Sequence, residues 1–235
     1  MFLPLYDGVP LAYLKAPLVT RALIGACVVA YVLTGFGLLP VPEEAIAMGF
    51  GTIPAELFGK KVLPPTLQFV PEPLTLVTSL FLHGSILHLV GNMLFLWVFG
   101  DNVEDGMGHK RFLAFYLLCG ILASLAHAAM DPASTRPLVG ASGAIAGVVA
   151  AYLILYPRVK VWCLFFGRIP LKVPAMWAIG FWIVLQVLAA LAAADEGVGW
   201  YAHIGGFVAG AALTPFLRRR YNPVLARAEK TQLLG

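Results

Sequence analysis

Charged residues are scarce in this chain. Only 12% of its 235 residues are Asp, Glu, Lys or Arg, whereas 60% are hydrophobic. An ordinary soluble domain contains roughly a quarter charged residues. The shortage of charge excludes an ordinary soluble domain and indicates a protein that resides in a lipid bilayer.

Cysteine and the common metal-binding motifs are scarce as well. The three cysteines, Cys27, Cys119 and Cys163, lie in or beside apolar segments and form no CxxC pair, so we expect neither a disulfide framework nor a thiolate metal site. No His is followed by Glu, which excludes the HExxH motif of a metalloprotease. We find no basic motif with interleaved aromatic residues of the kind that indicates a nucleic-acid partner. The sequence therefore predicts no metal, no cofactor and no nucleic acid.

Long apolar runs, by contrast, fill most of the chain. Runs of about 20 residues, enough for a helix to cross a hydrocarbon layer of about 30 Å, occur in six places. They are residues 18–38, 76–99, 111–130, 139–156, 174–194 and 199–217. We find no alternation with period two, the pattern of membrane barrel strands. The predicted fold is an all-α membrane protein with a bundle of six transmembrane helices.

Lys and Arg are distributed unevenly about these runs. With the N-terminus in the cytoplasm, thirteen of the sixteen Lys and Arg residues fall on the inner side, and only Lys60, Lys61 and Arg136 on the outer side. This positive-inside bias predicts a multi-pass protein of the plasma (inner) membrane with both termini cytoplasmic. Because Asp7 and Pro10 interrupt the first residues, we expect no cleavable signal peptide.

The runs belong to one predicted domain. It covers residues 1–217 and is followed by a basic cytoplasmic tail, residues 218–235. An outer loop at residues 39–73 is unusually long and mixes Pro and Gly with large apolar residues, which predicts short helices lying partly in the membrane interface. The inner connection that starts at Pro157 is basic and aromatic, and we interpret it as an interfacial hinge.

Four polar residues are predicted to lie at one depth in the outer half of the bundle. His88 and Asn92 belong to the second run, Ser142 begins the fourth and His203 begins the sixth. Polar groups are unfavourable in lipid and usually face a partner or water inside a bundle. A serine hydroxyl becomes a nucleophile when a neutral imidazole within hydrogen-bond reach accepts its proton. The pattern predicts Ser142 as nucleophile and His203 as general base.

Two further groups of residues support this hypothesis. His88 and Asn92 lie four residues apart on one helix face and, with the backbone N–H of Ser142, could stabilise an oxyanion by about 3 to 4 kcal/mol per donor. His83, on another face, is assigned a structural hydrogen bond. Small residues in the fourth and sixth runs allow the two helices to approach closely. The predicted helix-packing glycines are Gly140, Gly143, Gly147, Gly206 and Gly210.

Three segments together resemble a known family, the rhomboid intramembrane serine proteases. They are "FLHGSILHLVGN" (81–92), "GASGAIAG" (140–147) and "AHIGGFVAG" (202–210), which are similar to the family's HxxxN, GxSG and His-then-GxxxG patterns. The resemblance implies a six-helix rhomboid fold and a Ser142–His203 dyad without a carboxylate. It also implies an oxyanion site formed by His88, Asn92 and the Ser142 amide, in a cavity open to the outer side.

The sequence departs from the family pattern in two places. Some members carry a tyrosine four residues after the nucleophile, beneath the catalytic histidine, where this chain has Ala146. Some also carry a Trp-Arg pair where this chain has Leu74 and Thr75. Another group must therefore support the imidazole of His203. The candidates are Trp200, Tyr201 and Phe207.

The expected function is hydrolysis of peptide bonds in or near transmembrane segments of membrane proteins within the lipid bilayer. Motion of the fifth helix and of the loop at residues 195–197 is expected to gate substrate entry. The alternative is a polytopic metal or small-molecule transporter that uses His83, His88, His127 and His203. An aspartyl protease is disfavoured because Asp101 has no second intramembrane Asp. A catalytically silent family member would need neither Ser142 nor His203.

Overall fold

The architecture is a helical bundle with a small β-sheet at one end. The computed structural model describes residues 2–165, 167–192 and 198–219. In these residues the helices are α1 (Leu18–Gly35), α2 (Glu43–Phe50), α3 (Pro54–Leu57), α4 (Thr75–Thr78), α5 (Ile86–Met107), α6 (His109–Met130), α7 (Ser142–Leu155), α8 (Ala175–Leu191) and α9 (Trp200–Leu217). The strands are β1 (Phe2–Tyr6), β2 (Lys160–Phe165) and β3 (Ile169–Pro174).

Six of these helices are long, and each overlaps one of the six predicted runs. Three of them, α1, α5 and α6, are long and apolar enough to cross a membrane, and α7 and α8 are shorter apolar helices. Large apolar side chains cover the outside of the bundle, for example Leu87 and Phe216, which are 81% and 83% exposed. An exposed apolar surface of this kind suits contact with lipid.

The central helix of the bundle is α7, in which residues 143–152 are all buried. A helix that is apolar on every side is a buried one. Its contact with α9 is made backbone to backbone. A Cβ atom on Gly206 would lie 1.9 Å from the carbonyl oxygen of Gly143, and one on Gly210 would lie 2.3 Å from that of Gly147. Only glycine therefore fits at these positions of α9.

The prediction of an all-α protein is wrong because the structure contains a three-stranded antiparallel sheet in the order β1-β2-β3. The residues interpreted as a hinge after Pro157 form the β2–β3 hairpin, and β1 adds to its edge with Leu3 opposite Leu164. In β2, Val161 and Cys163 are buried whereas Lys160 and Trp162 are exposed. This is a short alternation with period two. The sheet leads directly into α8, so it holds the first turn of that helix.

Helix α5 lies further along the chain than the predicted run 76–99. It begins after Ser85, whose hydroxyl accepts the backbone N–H of His88 at 3.1 Å, an N-cap interaction. It then continues past residue 99 to Met107. The helix tolerates the acidic residues of this last part because the N-terminal segment of the chain supplies hydrogen-bond donors to them.

These acidic residues lie at the end of the bundle where α1 begins and α5 ends, which we call the opposite end. Glu104 is fully buried and accepts the backbone N–H groups of Val19 and Thr20 at 2.9 and 2.7 Å and the Thr20 hydroxyl at 2.7 Å. It also contacts Nδ1 of His109. The carboxylate therefore caps α1, whose first N–H groups have no partner within the helix.

Two aspartates extend this arrangement. The carboxylate of Asp105 accepts the backbone N–H groups of three successive residues at 2.7–2.9 Å, Ala12, Tyr13 and Leu14. That of Asp7 accepts the side-chain amide of Asn102 at 2.9 Å and the Tyr152 hydroxyl at 2.7 Å. Burial raises the pKa of Asp7 above its usual value, and the Tyr152 hydrogen bond opposes that shift.

The predicted tail begins at this same end. Of residues 218–235, only Arg218 and Arg219 are among those that the structure describes. The backbone N–H of Arg219 donates to the Gly106 carbonyl at 2.8 Å, and its Nε donates to the Asp105 carbonyl at 3.0 Å. The first residues of the tail are thus bound to the bundle, and the rest of that prediction lies outside the described residues.

The long loop at residues 39–73 contains the short helices that the sequence predicts. Besides α2 and α3 it holds a 3-10 turn at Pro65–Leu67, and another begins at Glu72. Ile53, Ala55 and Leu63 form a small core of their own. Thr52 and Leu138 exchange two backbone hydrogen bonds of 3.0 and 2.8 Å. The loop is therefore tied to the segment that leads into Ser142.

Candidate active site

A cavity of about 480 Å³ lies between α5, α7, α8 and α9. It is at the end of the bundle where α5, α7 and α9 begin, which we call the site end. The four residues chosen from the sequence for nucleophile, base and oxyanion donors, Ser142, His203, His88 and Asn92, all line it. Residues from three separate helices, α5, α7 and α9, thereby line one cavity.

Ser142 occupies the first position of α7, and the turn before it depends on Gly140. Gly140 has a φ of +126°, a conformation that residues with a Cβ rarely adopt. A Cβ atom there would also lie 2.7 Å from Cε1 of His88. The sequence grouped Gly140 with the helix-packing glycines, whereas the structure places it ahead of α7 against an imidazole. Its role is to let His88 approach the residues next to Ser142.

Asn92 carries a hydrogen-bond donor that no described residue of the protein accepts. The residue is 8% exposed, and its Nδ2 is buried without a partner among the described residues. Nδ2 lies 3.9 Å from the position that a Cβ on Gly140 would take, so it is close to the start of α7. A buried donor without an acceptor is unfavourable by about 1 to 3 kcal/mol. Such a donor is available to an oxygen that enters the cavity.

The ring of His88 packs against the ring of His83. The two rings meet edge to face with centroids 5.2 Å apart. His83 is 4% exposed, and its Nδ1 lies 3.3 Å from the Phe81 carbonyl, which is the structural hydrogen bond expected for it. Burial and the neighbouring His88 lower the pKa of His83 to about 4. His83 is therefore neutral near pH 7 and packs against His88 without adding charge.

The imidazole of His203 is surrounded by three side chains. Its Nδ1 lies 2.6 Å from Oε1 of Gln186. The centroid of its ring lies 6.0 Å from that of Trp182. It lies 6.1 Å from the centroid of Trp200, whose ring plane is at 87° to the imidazole. Ala146, the position at which some family members carry a tyrosine, lines the same cavity. The support that α7 does not give comes from α8 and from the first turn of α9.

Of the three residues predicted to support His203, one does so. Trp200 contacts the ring, the Tyr201 hydroxyl donates instead to the Ala190 carbonyl at 3.4 Å, and Phe207 packs on the apolar core. Gln186 and Trp182 were missed. The signal for Gln186 was present, since it is the one amide in the 17 residues of α8 and polar side chains in apolar helices usually have a partner.

Two further predictions concern the gate of the site and the metal or transporter alternative. Residues 195–197, proposed as part of a gate, are not among those described, although Val198 and Gly199 beside them line the cavity. The described residues contain no group of three or more His, Cys, Asp and Glu side chains that could hold a metal ion. Nothing in this geometry favours the transporter alternative.

Chemically, the cavity collects the groups needed for acyl transfer. It offers a hydroxyl at the start of a helix, an imidazole held through one nitrogen, and an amide donor without a partner in the described part of the chain. Donors at such positions can stabilise the oxyanion of a tetrahedral intermediate. The apolar side chains Phe95, Ile145 and Val149 line the rest and suit the side chains of an apolar segment.

Known proteins with similar sequences carry the same family name. Presenilin-associated rhomboid-like protein A, mitochondrial, of Danio rerio is 34% identical over 144 residues, 58% of this chain and 36% of that protein. Rhomboid-like protease 3 of Toxoplasma gondii is 32% identical over 147 residues, 61% of this chain and 51% of that protein. RHOMBOID-like protein 5 of Arabidopsis thaliana is 33% identical over 136 residues, 57% and 41% respectively.

The matched segment thus spans about half the length of these relatives or less. A family model described as "Rhomboid domain" matches residues 71–220, which is more than half of this chain. That range contains α4 to α9 and every residue that we assign to the site. The three motifs, the bundle and the family match agree, and the chain belongs to the rhomboid family.

Proposed function

We propose that this rhomboid is an intramembrane serine endopeptidase that cleaves peptide bonds in or near transmembrane segments of other membrane proteins. The observation that carries the proposal is the single cavity lined by Ser142, His203, His88 and Asn92. The printed name of the Toxoplasma gondii relative, which calls that protein a protease, supports the same reaction class.

In the proposed reaction, the Ser142 hydroxyl attacks the scissile carbonyl while His203 accepts its proton. His203 then returns that proton to the departing amine, which leaves an acyl-enzyme on Ser142. Water attacks the ester by the same steps in reverse, with His203 again as base. The donors on Asn92, His88 and the backbone of Ser142 hold the oxyanion in both tetrahedral intermediates, and each is worth about 3 to 4 kcal/mol.

We further propose how the chain sits in its bilayer. All six long helices cross the membrane as the domain of residues 1–217, with both termini cytoplasmic in a plasma (inner) membrane. The site end then faces the outer side. Support comes from the distribution of Lys and Arg, which favours the opposite end as the cytoplasmic one. Access from the outer side would supply the water that hydrolysis requires.

Substrates of such a site are single-pass or polytopic membrane proteins. A transmembrane helix hides each carbonyl in a hydrogen bond within the helix, so it must unwind locally before Ser142 can attack. We therefore expect cleavage where helix-weakening residues such as Gly and Pro lie near the outer boundary of a substrate segment.

The test is labelling of the full chain in detergent by a fluorophosphonate probe, which reacts with an activated serine. Ser142→Ala and His203→Ala should both lose labelling by a factor of about 1,000 or more, because each removes an essential member of the dyad. The matched control is Ser124→Ala, since Ser124 is buried in α6 away from the cavity. Labelling of the Ser142→Ala protein at the wild-type rate would refute the proposed function.

A further inference from the structure

Resting on the proposed function, we propose that Gln186 is a positioning residue for His203. Its side-chain oxygen accepts the Nδ1–H of the imidazole and so keeps the lone pair on Nε2, the nitrogen that takes the proton of Ser142. The site would then work as a Ser-His-Gln constellation in which the third member lies on α8.

The contact is short and enclosed. Oε1 of Gln186 and Nδ1 of His203 are 2.6 Å apart, at the short end of the distances usual for an N–H···O hydrogen bond, about 2.7 to 3.2 Å. Gln186 is 7% exposed, whereas its neighbours Leu185 and Val187 are 37% and 38% exposed on the outer surface of the bundle. An amide turned inward from an apolar helix needs a partner, and the histidine is the partner that the structure gives it.

A second contact comes from the same face of α8. Trp182 precedes Gln186 by four residues and therefore lies one turn away on the same side. The centroid of its ring lies 6.0 Å from that of His203, and the two ring planes are inclined by 36°. The imidazole is thus held in its plane by a hydrogen bond and across its face by an aromatic ring.

The chemistry of the pair fixes which nitrogen is the base. A neutral imidazole carries one N–H and one lone pair, and a carbonyl oxygen only accepts. With Oε1 at Nδ1, the proton is on Nδ1 and the lone pair on Nε2. The opposite tautomer would leave no acceptor for the serine proton. An aspartate fulfils this role in soluble serine proteases, and a neutral amide fulfils it here without introducing a charge into the bundle.

The experiment measures the rate of fluorophosphonate labelling of the full chain between pH 5 and pH 9. Gln186→Leu keeps the size of the side chain and removes the acceptor. We expect it to lower the rate by about 10- to 100-fold, a part of the 10²- to 10⁴-fold that general-base catalysis contributes. Gln186→Glu retains an acceptor and should label near the wild-type rate at high pH. Its pH of half-maximal rate should rise by about one unit, because a carboxylate stabilises the protonated imidazole.

Gln68→Leu is the matched control, since the amide of Gln68 donates to the Leu63 carbonyl in the long loop, away from the cavity. If Gln186→Leu does not fold, the pH profile of Gln186→Glu decides, because a side chain at position 186 that does not contact the imidazole of His203 would leave that profile unshifted. A wild-type rate and profile in Gln186→Leu, or an unshifted profile in Gln186→Glu, would overturn the inference. Either result, with labelling still dependent on Ser142, would leave the proposed function intact.

Discussion

The two ends of the bundle both bury polar groups, and they differ in whether the carboxylates of one end and the amide and imidazole of the other have hydrogen-bond partners. At the opposite end, the carboxylates of Glu104 and Asp105 each accept hydrogen bonds from successive backbone N–H groups of the N-terminal segment. At the site end, Nδ2 of Asn92 and Nε2 of His83 are buried and have no partner among the described residues. Paired groups stabilise a fold, whereas unpaired ones are available to a ligand. The comparison predicts that substitutions at the opposite end change stability and that those at the site end change rate.

The largest effect is expected from Glu104→Ala. The change leaves three donors of α1 without their acceptor inside the protein, and we expect a loss of about 3 to 5 kcal/mol in the free energy of unfolding. Denaturant titration in detergent measures it, with Glu44→Ala as control because Glu44 is exposed in α2. The labelling rate per folded molecule should not change. A slower rate in folded Glu104→Ala would mean that the two ends are coupled.

A large effect of the other kind is expected from Asn92→Ala. Removal of one oxyanion donor should reduce the labelling rate by about 10²- to 10³-fold, and stability should hardly change because Nδ2 has no partner to lose. The control is the same substitution at the opposite end, Asn102→Ala, whose amide donates to Asp7 and Asp101. That variant should lose stability and keep its rate, and the reverse outcome would contradict the comparison.

An intermediate effect is expected where the two helices that carry the dyad touch. A Cβ in Gly206→Ala would lie 1.9 Å from the Gly143 carbonyl oxygen, so α7 and α9 must move apart. We expect a loss of about 1 to 3 kcal/mol in stability together with slower labelling, since Ser142 and His203 lie on those helices. Gly25→Ala in α1 is the control, because nothing lies within 4 Å of its added carbon. Equal behaviour of the two variants would argue against the close contact.

The smallest effect distinguishes two buried tyrosines. The Tyr152 hydroxyl donates to Asp7 at 2.7 Å, so Tyr152→Phe should reduce the free energy of unfolding by about 1 kcal/mol. The Tyr116 hydroxyl is equally buried and has no partner among the described residues, so Tyr116→Phe should be neutral or slightly stabilising. Thermal unfolding of the two variants side by side measures the difference. Equal losses would show that the hydrogen bond to Asp7 contributes nothing.

The sequence predicted the helices and the family well because both are encoded locally. Each apolar run marks a helix by its own length, and the motifs around His88, Ser142 and His203 are continuous segments. That these residues line one cavity also follows from the motifs, since their depth depends only on distance along each helix. Their catalytic roles stay predictions that the labelling experiments test.

The features that the sequence did not predict depend on partners far away in the chain. Strand β1 pairs with β2 across more than 150 residues, and short strands at a bundle end leave a weak pattern. Glu104 and Asp105 are bound by backbone N–H groups, which every residue except proline provides, so no side-chain pattern marks the pairing. Gln186 was visible as a lone amide, but its partner is set by how α8 packs on α9.

The sheet has a mechanical consequence for α8. Because β3 runs directly into Ala175, the sheet holds the N-terminal end of α8, and a tilt of the helix would pivot about that end. Gln186 lies 11 residues further along, about 16 Å from the pivot. An outward tilt of about 10° would move its oxygen by roughly 3 Å, by the rise of 1.5 Å per residue, which is enough to release His203. An outward tilt of α8 would thus remove the hydrogen bond that orients His203, and the return of the helix would restore that bond.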